Sequence, residues 1–141
     1  MAQQQQEVTE IIGGISLFAD LSRPQLEGVA HTFEEEWYPD GQRILRQGFQ
    51  GNNFYVILDG EAVVRIDGQD RVKLARGDFF GEVSVLLGEA PTADVVAARP
   101  LRCLVMPGSQ VQGFLTAHPQ VMFRLLQAQA RRLRATLQWQ S

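Results

Sequence analysis

Gly77-Asp78-Phe79-Phe80-Gly81-Glu82-Val83-Ser84-Val85-Leu86-Leu87-Gly88-Glu89-Ala90-Pro91 is the stretch on which the reading of this chain turns. It breaks a series of strand-like runs with glycines and one short apolar turn. Gly81 lets the backbone come close to a ligand, and the amides of Glu82, Val83 and Ser84 then become the unpaired donors of a helix start, suited to an anion. Glu82 suits a sugar hydroxyl. A purely structural reading competes with this one: a glycine-flanked connection between two strands, with a carboxylate stabilising the first helical turn.

Working outward, residues 33–106 consist of short runs rich in Val, Ile, Leu and aromatics. They are separated by Asp40-Gly41, Asp59-Gly60, Asp67-Gly68 and Gly77-Asp78. This is hairpin punctuation. Asp-Gly suits a type I′ turn, which needs positive φ at both central residues. Repeated short strands favour a barrel, sandwich or jelly roll that hides its edges. The expected architecture is therefore mainly β with flanking helices: a double-stranded β-helix, or jelly-roll β-roll.

On the N-terminal side, the run Gln3–Gln6 marks residues 1–10 as an expected flexible tail, with a docked helix an equal alternative because Val8, Ile11, Ile12 and Ile15 could form a weak apolar stripe. Ser22 and Pro24 then start a short helix carrying Leu26, Val29 and Ala30. On the C-terminal side, residues 107–139 read as helical. Met122, Leu126, Ala130, Leu133 and Leu137 form one apolar stripe there, with Arg124 and Arg131 opposite it and Arg132 and Arg134 on its flanks.

A chain of 141 residues suits one domain, placed over residues 11–141. Its net charge of -3 gives no electrostatic reason to approach nucleic acid or anionic lipid. The N-terminus lacks a signal-peptide pattern, and no apolar run is long enough to span a membrane. With the single Cys103 in an apolar run, these features point to a cytoplasmic protein. His31 and His118 lack partners at metal-ligand spacing, so no metal site is expected. Neither Ser84 nor Ser109 has a nucleophile-elbow context, and Glu34-Glu35-Glu36 reads as a charged strand edge. No catalytic residues are expected, and the chain is read as a non-enzyme.

Three segments resemble the cyclic nucleotide-binding domains of bacterial regulators, protein kinase A regulatory subunits and gated channels. They are LFADLSRPQLEGVA (17–30), GFQGNNFYVILDGEAVV (48–64) and the cassette GDFFGEVSVLLGEAP (77–91). The resemblance implies a cyclic phosphate held by the amides of Gly81, Val83 and Ser84 and a ribose 2′-hydroxyl held by Glu82. The positions that follow, Thr92 and Ala93, would complete the site. It also implies a C-terminal lid helix, with Leu133, Leu137 and Trp139 as base-contacting positions; core packing or a dimer contact is the competing role for each.

The chain departs from the family at one place. Pro91-Thr92-Ala93-Asp94 stands where the family pattern is Pro, Arg, a small residue and Ala, so the phosphate-binding arginine is absent. A charge-assisted contact of that kind is worth about 1.5 to 3 kcal/mol. Asp94 would repel a phosphate if it turned inward, whereas Arg46, Arg99 or Arg102 could supply a replacement cation.

The resemblance implies a sensor of cyclic AMP (cAMP), with cyclic GMP (cGMP) less favoured because Ala93 lacks a hydroxyl for guanine, and a relay through the C-terminal helix. The alternative is a degenerate relative acting as a structural or protein-interaction domain. The expected partners are a cyclic nucleotide and a protein or second copy bound through the last helix. Direct DNA binding is not expected, because no helix-turn-helix follows before Ser141.

Overall fold

The computed structural model describes residues 2–49 and 52–140, with the backbone alone for residues 2 and 138–140. Three helical elements come first: α1 (Ala2–Gly13), a single 3-10 turn (Ser16–Phe18) and α2 (Arg23–Thr32). Strands β1 (Glu34–Tyr38), β2 (Arg43–Leu45), β3 (Asn53–Asp59), β4 (Glu61–Ile66), β5 (Gln69–Ala75) and β6 (Phe79–Phe80) follow. Helix α3 (Glu82–Leu87) interrupts the strands before β7 (Asp94–Ala97) and β8 (Leu101–Pro107). Helices α4 (Gly108–Ala117) and α5 (Pro119–Gln140) close the chain.

The strands form two antiparallel four-stranded sheets, in the orders β1-β8-β3-β6 and β2-β7-β4-β5. This is the expected β-roll, and its central strands are covered on both faces. Along β3, Phe54, Val56 and Leu58 join the core under the helices, while Tyr55 and Ile57 join the core between the sheets. Along β8, Leu104 and Met106 face the helices, and Leu101, Cys103 and Val105 face the other sheet. The two-residue period of a strand divides the side chains in this way.

The Asp-Gly pairs do different work. Asp67 and Gly68 both adopt positive φ, 52° and 80°, and close the β4–β5 hairpin as a type I′ turn does. Asp59-Gly60 is not a hairpin, contrary to the sequence reading. Strands β3 and β4 lie in different sheets, and Gly60 carries the chain round the corner between them. A Cβ there would lie 2.2 Å from the Pro100 carbonyl oxygen, so only glycine fits.

The expected tail is also revised. Residues 2–10 belong to α1, because the apolar stripe prevails over the low-complexity glutamines: Val8 and Ile12 are buried against α2 and the first sheet. Full burial of an aliphatic side chain contributes roughly 1.5 to 3 kcal/mol. Ser22 and Gln25 form a reciprocal capping box that starts α2, with Pro24 in its first turn.

Helix α5 carries two apolar stripes about one residue apart in phase, which is about 100° on a helix. The inner stripe, Val121, Leu125 and Ala128, packs into the helical core. The stripe read from sequence is the outer one: Met122, Leu126, Leu133 and Leu137 are 40–62% exposed. Asp20 receives both Nε and Nη2 of Arg124, which fastens the first half of α5 to the N-terminal helical segment. That arginine is what lowers the Asp20 carboxyl below its ordinary pKa.

Candidate functional site

Short helix α3 exists because glycine opens it at both ends. Gly81 at its N-cap has φ 86°, and Gly88 at its C-cap has φ 67°. A Cβ on Gly81 would sit 2.3 Å from the Asn53 carbonyl oxygen, so the connection from β6 packs directly on the backbone of β3. This close approach places Glu82 and Ser84 in the interior, 4% and 5% exposed, while Val83, Leu86 and Leu87 remain about half exposed.

A cavity of about 290 Å³ opens under α3. Gly81, Glu82, Val83 and Ser84 form one wall, and Thr92 and Ala93, entering β7, form another. Apolar side chains of the second sheet, including Leu74 and Val95, make the floor, beside Phe79 and Phe80. The six residues singled out from the sequence are therefore brought together on one cavity. The glycines at the ends of α3 and the reversal at Pro91 bring them there.

Asp94 is turned to other work. Its Oδ1 accepts the Gln47 backbone N–H at 2.7 Å, and its Oδ2 lies 3.8 Å from Arg43 Nε. It is absent from the cavity wall. The replacement cations suggested by the sequence are engaged or placed elsewhere. Arg99 pairs with Glu61, Arg102 is buried between Glu7 and Glu35, and exposed Arg46 does not reach the cavity.

The residue that sequence reasoning missed is Arg132. From α5 it donates Nη1 to Glu82 Oε1 at 2.7 Å and Nη2 to the Phe79 carbonyl at 3.3 Å. Its guanidinium lies 4.7 Å from the centre of the Phe79 ring, within cation–π range. Gln129, one turn earlier, donates Nε2 to the same Glu82 oxygen at 3.1 Å. A buried carboxylate needs such partners. Arg132 continues the inner stripe: Val121, Leu125, Ala128 and Arg132 follow at spacings of four, three and four residues. A charged residue at the end of an apolar stripe was the signal available in the sequence.

The positions expected to form a lid are placed otherwise. Leu133 and Leu137 are 60% and 55% exposed on the outer stripe and do not line the cavity. One residue of phase on α5 separates them from Arg132, which does. The side chain of Trp139 lies outside the described residues.

Residues 35–118 match the family described as the cyclic nucleotide-binding domain. The chain belongs to that family. The domain is 33% identical over 100 residues to the cGMP-dependent protein kinase egl-4 of Caenorhabditis briggsae, covering 67% of this chain and 13% of the kinase. It therefore spans a small fraction of the curated relatives that it matches. Among solved structures it is similar to the catabolite activator protein of Thermus thermophilus, with 29% identity and a TM-score of 0.79, covering 89% of this chain and 62% of that one. The regulatory domain of Toxoplasma gondii PKA with cAMP shares the fold at a TM-score of 0.78 and 21% identity, covering 93% of this chain and 51% of that one. These matches describe a ligand-binding regulatory domain rather than a catalytic fold. Among the described residues, no helix is long and apolar enough to cross a membrane, and no His, Cys, Asp and Glu cluster is arranged to hold a metal ion.

Proposed function

We propose that this domain binds a cyclic nucleotide, cAMP in preference to cGMP, in the cavity beneath α3 and relays its occupancy through α5 in the cytoplasm. One observation carries the reading: the cassette residues Gly81 to Ser84 and the following Thr92 and Ala93 converge on a single, mostly apolar cavity around the buried Glu82. An apolar pocket with a few convergent polar groups is the usual form of a small-molecule site. Glu82 accepts the ribose 2′-hydroxyl, the first amides of α3 meet the phosphate, and the apolar floor covers the sugar and base. Ala93 offers guanine no hydroxyl, which favours adenine.

The relay has a physical path. Residues 130–137 are exposed throughout, and the Arg132 and Gln129 contacts tie this end of α5 to Glu82. A ligand that takes hold of Glu82 therefore acts on the same carboxylate that holds the helix. The far face of α5 is free for a second copy of the chain. Phe123, Leu126, Ala130, Leu133 and Leu137 follow at alternating spacings of three and four residues, the seam of a two-stranded coiled coil, and all are exposed.

A second reading, a protein-interaction domain that no longer takes nucleotide, is favoured by Thr92 at the place of the family's arginine. Calorimetric titration of the chain with cAMP, cGMP and AMP separates the two. Saturable one-site heat, tightest for cAMP, is the expected result. Silence with all three nucleotides at millimolar concentration, on protein with an intact thermal transition, would replace the sensor with the interaction domain.

A further inference from the structure

We propose that Arg132 is the cation for the cyclic phosphate in this chain, supplied from α5 in place of the arginine that the family carries next to the cassette. The inference rests on the nucleotide reading above and names the residue on which phosphate recognition depends.

Charge balance within the cavity leads to it. Glu82 contributes one negative charge at 4% exposure, and a cyclic phosphate brings a second into surroundings that are largely apolar. An anion in such a place must be paired or it is strongly disfavoured. Position 92 is threonine, whose hydroxyl is a neutral donor. Among the described residues, Arg132 is the one cationic side chain on the cavity wall. Arg43, Arg99 and Arg102 are each held by carboxylates elsewhere, and Arg46 lies outside the wall.

Arg132 is also suited to change partners. Its side chain is 45% exposed, against 4% for that of Glu82, so the arginine rather than the carboxylate is the mobile member of the pair. Its fork has several donors, which can serve a carboxylate or a phosphate in the same two-pronged way. When the ribose hydroxyl donates to Glu82, the guanidinium moves across to the phosphate, and each buried anion keeps a hydrogen-bond partner. The movement draws on α5, so the ligand's negative charge becomes the part of the nucleotide to which the helix responds. A nucleoside without phosphate would bind without recruiting Arg132.

The test is calorimetric titration of the full chain with cAMP and with adenosine, in the wild type, Arg132→Ala, Arg132→Lys and the double variant Arg132→Ala/Thr92→Arg. Thermal unfolding of each variant reports its folding. The wild type is expected to bind cAMP more tightly than adenosine. Arg132→Ala is expected to lose about tenfold to more than a hundredfold in cAMP affinity, the range of a lost charge-assisted contact, while adenosine affinity holds. Arg132→Lys, which keeps the charge and loses the fork, should fall between them, and it carries the test if the alanine variant does not fold. The double variant should recover cAMP affinity, because arginine returns at the position the family uses.

Equal losses for cAMP and adenosine would overturn the proposal and assign Arg132 to the sugar or to folding. Tighter cAMP binding by Arg132→Ala would also overturn it, making the arginine a competitor for Glu82. Unchanged cAMP affinity in Arg132→Ala sinks this inference and leaves the nucleotide reading standing. A wild type that binds neither ligand removes both.

Discussion

Arg102 and Glu82 are both buried charges held by partners from distant parts of the chain, yet their surroundings differ in kind. Arg102, 7% exposed, donates Nε to Glu35 and Nη1 to Glu7, both at 2.6 Å, and lies 5.0 Å from the Trp37 ring centre. Hydrogen bonds to these carboxylates raise its pKa further. It clasps α1, β1 and β8 together and lines none of the cavity under α3. Glu82 is as deeply buried, but its partner comes from a helix end whose residues are otherwise exposed, and the pair forms part of a cavity wall. Burial of charge is thus no mark of a site by itself. A cavity, and on the proposal above a partner that can leave, distinguish Glu82 from a structural clasp.

The strongest way to break this comparison is Arg102→Ala. It removes two charge-assisted hydrogen bonds but leaves carboxylates that are partly exposed, Glu7 at 56% and Glu35 at 22%, so the cost is about 1.5 to 3 kcal/mol. Chemical denaturation should show a loss of this size, with cAMP affinity unchanged on protein that remains folded. A stability loss well under 1 kcal/mol would mean that Glu35 and Glu7 rehydrate freely and that the clasp holds little. Glu82→Gln sharpens the other side. The amide keeps the shape and weakens the charge-assisted bonds, so cAMP affinity should fall by about 1.5 to 3 kcal/mol while stability changes less than in Arg102→Ala. An unchanged titration would move the ribose away from Glu82.

The sequence made one of these sites legible and hid the other. The cassette could be read because glycines at 77, 81 and 88 mark backbone positions that other residues adopt only under strain: all three have positive φ, and at Gly81 a Cβ would also clash with Asn53. Two sheets of short strands could be read from the turn chemistry, though not which Asp-Gly pair turns a hairpin and which turns a corner. That depends on the Pro100 carbonyl, forty residues away from Gly60. Arg132 and Arg102 escaped because their partners lie 50 residues away for Arg132 and 67 and 95 for Arg102, beyond any periodic signal. On α5 the longer apolar stripe attracted the reading to the outer face. The inner face contains fewer apolar residues because Arg132 ends it.

That outer face gives a smaller effect on the folded unit and a larger one on assembly. Leu133→Glu places a charge in the middle of the exposed seam, so sedimentation equilibrium should show loss of self-association, with monomer stability altered by no more than about 0.5 kcal/mol. A wild type that stays monomeric at its highest soluble concentration would exclude the second copy as the occupant.

Cys103 reports on both charge sites without touching either. It is fully buried on the side of β8 opposite Arg102, and burial pushes its thiol pKa up to about 12. The thiolate is the reactive form, so the native thiol should not be alkylated at pH 8, and labelling must wait for the roll to open. The opening population follows stability when closing is faster than the chemistry. Arg102→Ala should therefore speed labelling by about tenfold to a hundredfold, since each 1.4 kcal/mol is tenfold. Glu82→Gln should change it far less, because the cavity wall lies on α3 rather than on the β8 clasp. If Glu82→Gln speeds labelling as much as Arg102→Ala does, the Glu82–Arg132 pair is a structural clasp after all, and the distinction between a site and a support must be drawn elsewhere in the molecule.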